Sequence, residues 1–500
     1  MEILDKSNGR IYLYPTKIVI DPYTEEVKQI ENLFKVWDNV LHKYVFEAFI
    51  KDGDKLILPT GVSLVKLKSI FSDYKVEDKR MSSERYIKAN RLNTNIKMNY
   101  DFKNEEQKKV FNFLNKQQVV HSRNMQKYIA VNTGFGKTFI AVKYIASSHD
   151  RPIIFVDQES LAEQWKSRIT EYTNTKEDEI YYISGSNSIN KLMKMSSDDI
   201  LKIKFFICCY RTLTANIKNN NSTEDISKLF NQIKVTVKIF DEAHIEWKSI
   251  FKIDMLSNLR SIYLSATPKR TDPSEDKVYQ NIFHNVDKYI SDISNTDTEN
   301  YHNILIYEWN SHPDVLSVNR CSNKYGFSTA KYCEYLFISR YEKFKELLSD
   351  LIFKTVLAKR KKKKIAILFG TNMLLYQFYD DLKNICTLNN YKLTVNIFNG
   401  DTKKDDKLRI LEESDIILTT DVSFQKGIDV KDLQVVINTA PTSSEPKLIQ
   451  TVGRLRKLEK KEVFFIDVID LGFSSMVKQL NIKKNKVYNK IAKNIFIKVN

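Results

Sequence analysis

The residues of this sequence that could do chemistry begin with a glycine-rich loop. Residues 132–138 (Asn-Thr-Gly-Phe-Gly-Lys-Thr) follow an apolar run and precede a helical pattern. In that order, glycines let backbone N–H groups turn toward phosphate oxygens at the positive end of the helix. Lys137 would then reach the β and γ phosphates, and the Thr138 hydroxyl would hold Mg²⁺. The strict pattern has glycine where this chain has Val131, so a chance match is the alternative while the motif stands alone.

Two carboxylates supply a second part of the candidate site. Asp241 and Glu242 directly follow the apolar run 237–240. Asp241 could hold Mg²⁺ through water, and Glu242 could polarise an attacking water as general base. Adjacent acids at the end of a strand are often only a surface turn. Combined with the lysine loop, they predict a site that hydrolyses a nucleoside triphosphate.

The elements that must position these residues are apolar strands alternating with amphipathic helices, which is typical of parallel α/β sheets. The predicted strands are Tyr128–Val131, Ile153–Val156, Phe205–Cys208, Val237–Phe240, Ser261–Leu264, Ile365–Phe369, Thr394–Phe398, Ile416–Thr419, Val435–Asn438 and Val463–Ile466. The polar stretch 291–300 is expected to be a linker or an exposed insertion. Before residue 98, short apolar runs and one helical stretch predict a small α+β module without a catalytic constellation.

Length and composition agree with several folded domains. The 500 residues suit two to three domains, and 42% apolar with 12% aromatic residues excludes a disordered chain. No apolar run approaches the length of a membrane span, and the acidic start predicts no signal peptide. The five cysteines contain no CxxC pair, so a zinc site or a disulfide framework is not expected. We expect a monomer in the cytoplasm, with no membrane partner.

The charge balance points to a polyanionic partner. Lysine and arginine number 79 against 62 acids, a formal net charge of +17. Nucleic acid is the commonest partner of such a surface, while lysine enrichment from an AT-rich genome is the alternative. The run Lys359–Lys364 is interpreted as a solvated helix end, with a phosphate-contacting patch as its alternative.

The ordered set of motifs resembles the superfamily 2 DEAD/DEAH-box helicases and translocases. In that family the position of Val131 is commonly occupied by alanine, so the lack of the first glycine in motif I says little against the match. The other segments resemble, in chain order, motif Ia (153–165), motif Ib (209–213), the DEAH box (241–244), motif III (265–267), motif IV (365–371), motif V (419–429) and motif VI (450–456).

The resemblance implies an α/β fold of two tandem RecA-like parallel-sheet domains, at 99–290 (motifs I–III) and 291–500 (motifs IV–VI), behind a small N-terminal α+β accessory domain at 1–98. It also implies ATP and Mg²⁺ as cofactors. The implied catalytic residues are Lys137, Asp241, Glu242, Arg454 and Arg456, with Thr138 and Asp241 as the Mg²⁺ ligands. The implied ATP-binding residues are Gln107, Gly134, Phe135, Gly136, Lys137, Thr138, Gly427 and Asp429. Coupling is assigned to His244, Ser265, Ala266, Thr267 and Gln450, and nucleic-acid contact to Gln164, Thr212, Thr371 and Thr420.

Some of these assignments carry alternatives. Arg454 is expected to act as an arginine finger. The family places a second arginine three residues later, where this chain has Lys457, with Arg456 one residue early. Gln107 lies where some family members bind adenine, although a glutamine on a polar helix is often only solvated. Each threonine assigned to nucleic acid could equally be an ordinary cap at the end of a strand.

The stretch Asp241–Tyr279, and the compact length with a small module before motif I, resemble helicases of tailed phages and large DNA viruses. This resemblance implies an ATP-dependent DNA helicase or translocase acting on duplex or branched DNA in recombination, repair or replication, in the host cytoplasm if the source is viral or phage. An RNA helicase or transcript-release factor with the same ATPase motor is the alternative. A nucleic-acid-binding protein without hydrolysis is another, although the complete set of catalytic residues argues against it. A restriction-type motor fits less well, because the remaining residues offer no nuclease constellation.

Overall fold

The computed structural model describes residues 9–24, 28–39, 41–116, 125–131, 134–220, 224–266, 268–270, 272–291, 300–323, 326–357, 363–425, 430–442, 444–459 and 461–499. The chain divides into two compact units, Met1–Ser291 and Asp292–Asn500. The predicted division into three domains at residues 98 and 290 stays a prediction. Across the described ranges, no helix has both the length and the apolar composition needed to cross a membrane.

The first unit begins with a small α+β module, here called the head (residues 9–98). Its elements are β1 (Arg10–Leu13), β2 (Lys17–Asp21), α1 (Lys28–Glu31), β3 (Lys35–Asp38), β4 (Lys43–Glu47), β5 (Ile50–Asp52), β6 (Lys55–Pro59), α2 (Leu64–Ile70), β7 (Lys75–Asp78) and α3 (Arg80–Ala89). The sheet has the order β5-β6-β2-β1-β7, with β1 and β7 parallel, while β3 and β4 form a separate antiparallel hairpin. Ser63 starts α2, because its side chain accepts a hydrogen bond from the Lys66 N–H.

A seven-stranded parallel sheet follows in the same unit. Its elements are α4 (Glu105–Asn115), β8 (Gln126–Ala130), α5 (Lys137–Ser148), β9 (Pro152–Val156), α6 (Glu159–Tyr172), β10 (Ile180–Ile183), α7 (Gly185–Lys194), α8 (Ser197–Lys202), β11 (Phe205–Cys209), α9 (Tyr210–Asn220), α10 (Glu224–Gln232), β12 (Val237–Phe240), α11 (Trp247–Met255), β13 (Arg260–Ser265), α12 (Pro273–Ile282) and β14 (Asp287–Ile290). The strand order is β10-β11-β9-β12-β13-β8-β14. Every residue of β9 and β12 is buried, as expected of strands that helices cover on both faces.

The second unit contains another seven-stranded parallel sheet, of order β19-β20-β18-β21-β22-β15-β23. Its elements are β15 (His302–Trp309), α13 (Val315–Cys321), β16 (Ser322–Asn323), β17 (Gly326–Phe327), α14 (Thr329–Tyr335), α15 (Tyr341–Asp350), β18 (Lys364–Phe369), α16 (Asn372–Leu388), β19 (Val395–Phe398), α17 (Lys404–Glu413), β20 (Ile416–Thr420), α18 (Asp421–Gln425), β21 (Leu433–Asn438), α19 (Glu445–Val452), β22 (Val463–Asp470), α20 (Ser474–Lys483), α21 (Asn489–Ile491) and β23 (Ala492–Val499). Several helical stretches of π type connect these elements.

These sheets confirm the predicted fold class: two tandem RecA-like parallel-sheet domains with a small N-terminal α+β module. Each predicted strand is present, with ends that shift by at most two residues, except that the last continues to Asp470. The prediction missed β10, β14, β15 and β23. Most of the predicted linker at 291–300 and of the lysine run at 359–364 lies outside the described residues. Lys364 itself donates to the carbonyls of Leu411 and Glu412 at the end of α17.

The head and the first parallel-sheet domain share one hydrophobic core. The Phe46 ring of the head lies 5.1 Å from the Trp247 ring and 5.3 Å from the Phe251 ring, both on α11. A buried hydrogen bond joins Thr60 of the head to Gln126 of β8. The helix α11 begins a few residues after the DEAH box, so the head packs on the element that directly follows the candidate catalytic carboxylates.

Candidate active site

The phosphate loop has the backbone shape that its glycines predict. Gly134 and Gly136 both adopt positive φ, at 82° and 98°, a region that L side chains rarely occupy. The loop ends at Gly136, and α5 begins with Lys137. The first N–H groups of a helix have no partner within it, so those of α5 are available to an anion. The Lys137 Nζ donates to the Val131 carbonyl at 3.3 Å, which folds the side chain over the loop.

Gln107 holds this loop from α4. The side chain is 4% exposed, and its Nε2 donates to the Phe135 carbonyl at 2.7 Å while its Oε1 accepts from the Lys103 N–H at 2.9 Å. A Cβ atom at Gly136 would lie 2.5 Å from the Gln107 Nε2, so a side chain there would displace the Gln107 amide from this position. The alternative of a solvated glutamine is therefore wrong. Its assignment to ATP binding stays a prediction, and its visible role is to support the loop.

The two carboxylates lie where β12 ends, at the edge of the sheet where the phosphate loop also begins. The Asp241 N–H donates to the Phe155 carbonyl of β9, which fixes the backbone at this point. Its Oδ1 accepts the Glu242 N–H at 3.0 Å, and its Oδ2 accepts the Trp165 indole N–H at 2.8 Å. Glu242 adopts positive φ, 46°, an uncommon conformation for a residue with a side chain.

The electrostatics of the pair suit a site that receives a cation. Burial raises the pKa of Asp241 above its ordinary value, and the neighbouring Glu242 raises it further, against the lowering effects of the Trp165 N–H and of Lys137. A divalent cation would relieve this repulsion. The available donors are a carboxylate at Asp241 and a hydroxyl at Thr138, which are the hard oxygen ligands that Mg²⁺ prefers. The side chains present therefore fit Mg²⁺.

His244 connects the DEAH box to motif III. Its Nδ1 lies 2.9 Å from the Ser265 Oγ and 3.5 Å from the Glu242 Oε2. Burial is the main cause that lowers the pKa of His244 to about 4, so the ring is neutral near pH 7. The Arg270 guanidinium donates to the His244 carbonyl. Ala266, which follows Ser265, is buried, and Thr267 lies outside the described residues.

The residues assigned to nucleic acid in the first unit lie on two helices. Gln164 is half-buried on α6, next to Trp165. Thr212 is half-buried in the first turn of α9, where its Oγ1 accepts the Gly185 N–H at 3.4 Å. The structure thus places Gln164 and Thr212 on the helices that follow neighbouring strands β9 and β11.

The predicted residues of the second unit are described by themselves. Thr371 stands at the N-cap of α16. The Thr420 Oγ1 accepts the Ser423 N–H at 3.2 Å, so the capping alternative applies to this threonine. Gln450 is buried on α19, with Arg454 half-buried and Arg456 exposed just beyond the helix. Gly427 and Asp429 lie outside the described residues.

The sequence prediction missed three residues that contact the site: Trp165, Tyr210 and Arg270. The Tyr210 hydroxyl donates to the Asp241 carbonyl at 3.0 Å. Trp165 lies in the segment that resembles motif Ia, and Tyr210 lies in the segment that resembles motif Ib. Their positions in these motifs were the only sequence signal that could have pointed to them. The search for catalytic residue types passed over the Trp165 indole and the Tyr210 phenol, because here both side chains only donate hydrogen bonds to Asp241.

Comparisons with known proteins agree with this geometry. Residues 98–270 match the family model described as "Type III restriction enzyme, res subunit", and residues 342–458 match "Helicase conserved C-terminal domain". A search of curated proteins by sequence found no match.

Solved structures of helicases are similar to the chain at low identity. S. cerevisiae Dbp5 bound to RNA and ADP BeF3 has 14% identity and a TM-score of 0.50, over 83% of this chain and 93% of that chain. T4 UvsW has 16% identity and a TM-score of 0.36, over 98% and 99%. The Pyrococcus furiosus Hef helicase domain has 14% identity and a TM-score of 0.43, over 75% and 97%.

The order of the two matched segments, the tandem parallel sheets and the loop facing two carboxylates define one class of protein. The chain carries the ATPase motor of a superfamily 2 helicase. Its activity is therefore ATP-dependent.

Proposed function

We propose that this motor is an ATP-driven helicase or translocase acting on duplex or branched DNA, in recombination, repair or replication. The observation that carries the ATPase part is the convergence of Lys137, Asp241 and Glu242 at one edge of the first parallel sheet. The preference for DNA is supported by the description of the first matched family as a restriction enzyme. The net charge of +17 suits a nucleic-acid partner of either kind.

In the proposed reaction, backbone N–H groups of the loop and the Lys137 ammonium hold the β and γ phosphates of ATP. Glu242 accepts the proton of the attacking water as general base, at a position fixed by the strand end. Mg²⁺, held by Thr138 and Asp241, would neutralise the charge that develops on the phosphate oxygens. His244 and Ser265 would connect the state of this site to motif III. Arg454 belongs to the other unit, and its role as arginine finger stays a prediction.

RNA is the second candidate substrate. The fold is shared with Dbp5, whose structure is described as bound to RNA, and the same motor would serve a transcript-release factor. We place RNA second because its support is the fold alone, while the description of the first family favours DNA.

The test is the steady-state ATPase rate of the purified protein without nucleic acid and with duplex DNA, four-way-junction DNA, single-stranded DNA or RNA. We expect duplex or junction DNA to stimulate the rate most, and Glu242→Gln to abolish hydrolysis under every condition. If RNA alone stimulated the ATPase rate, the result would favour an RNA helicase or transcript-release factor. Full hydrolysis by Glu242→Gln would overturn the assignment of the site.

A further inference from the structure

Two aromatic side chains connect the segments proposed to contact nucleic acid to one residue of the ATPase site. Trp165 follows Gln164 on α6, and its indole N–H donates to the Asp241 Oδ2 at 2.8 Å. Tyr210 is the first residue of α9, two positions before Thr212, and its hydroxyl donates to the Asp241 carbonyl at 3.0 Å. The two donors therefore come from different helices and meet on the side chain and the backbone of the same aspartate.

Both donors are held firmly by packing. Trp165 is 2% exposed and Tyr210 is 1% exposed. The Tyr210 ring stacks on the Phe240 ring, the residue directly before Asp241, with ring planes 5° apart and centroids 6.3 Å apart. The Phe155 ring packs against both, with its centroid 5.9 Å from that of Tyr210 and 5.0 Å from that of Phe240. A displacement of α6 or α9 is thus transmitted to Asp241, because close-packed side chains leave little room for independent movement.

The hydrogen bonds to Asp241 set the direction of its carboxylate. The Glu242 N–H bonds to one oxygen and the Trp165 N–H to the other, so the side chain is fixed at both oxygens. Hydrogen bonds to a charged group are stronger than those between neutral groups. Without the indole N–H, the Asp241 Oδ2 would lose its hydrogen bond from Trp165, and its orientation would depend on solvent and on the charge of Lys137.

We propose that Trp165 and Tyr210 are positioning residues that couple strand binding to ATP hydrolysis, by setting the place of Asp241 from α6 and α9. This inference rests on the proposed function, since it requires a nucleic acid bound at Gln164 and Thr212. Coupling would then depend on the Trp165 indole and the Tyr210 phenol as well as on the contact between His244 and Ser265.

The test uses the full chain and the variants Trp165→Phe, Tyr210→Phe and their combination. The matched controls are Trp309→Phe and Tyr332→Phe. Trp309 is a buried tryptophan of the second unit whose Nε1 has no hydrogen-bond partner among the described residues. Tyr332 is a buried tyrosine of that unit whose hydroxyl donates to Asp470. The measurements are the ATPase rate with and without the DNA that stimulates wild type most, the affinity for that DNA by fluorescence anisotropy, and the melting temperature.

We expect Trp165→Phe to lower the stimulation factor about tenfold, the size expected for a lost hydrogen bond to a charged group. Tyr210→Phe, which removes a bond to a carbonyl, should lower it about threefold. The KM for ATP, the DNA affinity and the melting temperature should stay close to wild type in both. The combined variant should lose less than the product of the two single effects, since both act through Asp241. The controls should keep the full stimulation factor.

A second readout does not depend on hydrolysis. Addition of DNA without nucleotide should change the tryptophan emission of wild type and of Trp309→Phe, and this change should be lost in Trp165→Phe. Normal stimulation in a stable Trp165→Phe protein would overturn the inference alone. Equal losses with and without DNA, together with a lower melting temperature, would also overturn it, because they indicate a structural role only. A wild-type protein that no nucleic acid stimulates would instead overturn the proposed function, and the inference with it.

Discussion

Lys137 is the residue whose side chain is best placed to respond to nucleotide. Its ammonium is bonded to the Val131 carbonyl at 3.3 Å, a long bond that a phosphate would readily replace. The charge of Lys137 also acts on Asp241 and on His244. A single lysine therefore influences the phosphate loop, the DEAH box and, through His244, motif III.

Lys137→Ala should lower the ATPase rate by about 100-fold or more, because it removes the cation that stabilises the charge of the transferring phosphoryl group. The matched control is Lys143→Ala on the same helix, whose ammonium is bonded to the exposed Asp101. Steady-state kinetics on both variants provide the measurement. An active Lys137→Ala enzyme would contradict the assignment of the phosphate loop.

At this scale, local sequence patterns propose some residues of the candidate site and do not show others. Lys137, Asp241 and Glu242 belong to short local patterns whose chemistry depends on neighbours in the chain, so the combined patterns are enough to propose them as site residues. Trp165 contacts Asp241 across 76 positions, and Tyr210 contacts it across 31. Contacts of this kind are set by which strands become neighbours in the sheet, and no local pattern contains that information.

At the scale of elements, the head is fastened to α12 by close backbone contact. A Cβ atom at Gly61 would lie 1.6 Å from the Asn281 carbonyl oxygen near the end of that helix. Asn281 also donates through its Nδ2 to the Leu33 carbonyl of the head at 2.7 Å, and Asn285 donates to the Thr60 carbonyl at 3.0 Å. The position of the head therefore depends on the absence of a side chain at Gly61.

Gly61→Ala should destabilise the first unit by about 1–3 kcal/mol or more, because the added methyl group cannot be accommodated without a backbone shift. The control is Gly400→Ala, where the built Cβ meets nothing within 4 Å. Thermal unfolding of both variants measures the difference. An unchanged melting temperature for Gly61→Ala would contradict the packing of the head on α12.

A buried carboxylate in the head predicts a pH dependence of stability. Glu31 is 3% exposed, and although burial raises its pKa, hydrogen bonds from Lys51, Tyr23 and Lys35 prevail and lower the pKa to about 2. A carboxylate with a lowered pKa stabilises the fold above its ordinary pKa, and this contribution is lost as the pH falls toward 2.

Glu31→Gln should therefore lower the free energy of unfolding by about 2 kcal/mol at pH 7, and the difference from wild type should shrink as the pH falls from 5 to 3. Urea unfolding across that range is the measurement, with Glu105→Gln on the exposed side of α4 as control. A difference that stays constant with pH would show that the carboxylate charge is not the cause.

The same scale shows where element prediction fails. Buried apolar strands such as β9 and β12 are recognisable from sequence, and their predicted ends are close to those observed. Seven residues of the edge strand β23 are exposed. Its sequence therefore lacks the continuous apolar run that marks a central strand. Edge strands depend on a neighbour for their pairing rather than on burial of their own side chains.

At the scale of the whole molecule, the two units contribute different parts of the predicted mechanism. The phosphate loop and the DEAH box belong to the first unit, and the motif VI arginines belong to the second. Arg454→Ala should lower kcat by about a thousandfold, the range of a lost arginine finger, while the KM for ATP changes little. Arg409→Ala, an exposed arginine of the second unit paired with Asp406, is the control. A large rise in KM with unchanged kcat would contradict the finger role.

The net charge makes a prediction for the entire chain. If the +17 excess serves nucleic-acid binding, the affinity for DNA should fall steeply as salt rises from about 50 to 200 mM, since each neutralised phosphate releases counterions. Fluorescence anisotropy at several salt concentrations gives the slope. An affinity that does not change with salt would indicate that the charge excess reflects the base composition of the genome and does not serve binding.

The shared core of the head and the first parallel-sheet domain has a consequence for how this protein can change. Because Phe46 packs against Trp247 and Phe251, we expect the two parts to unfold in one cooperative transition, and a chain shortened by the head would expose those aromatic rings to water. We expect such a fragment to be prone to aggregation. The head therefore belongs to the folding unit that carries the phosphate loop, and side chains on the two sides of this contact must remain compatible with each other.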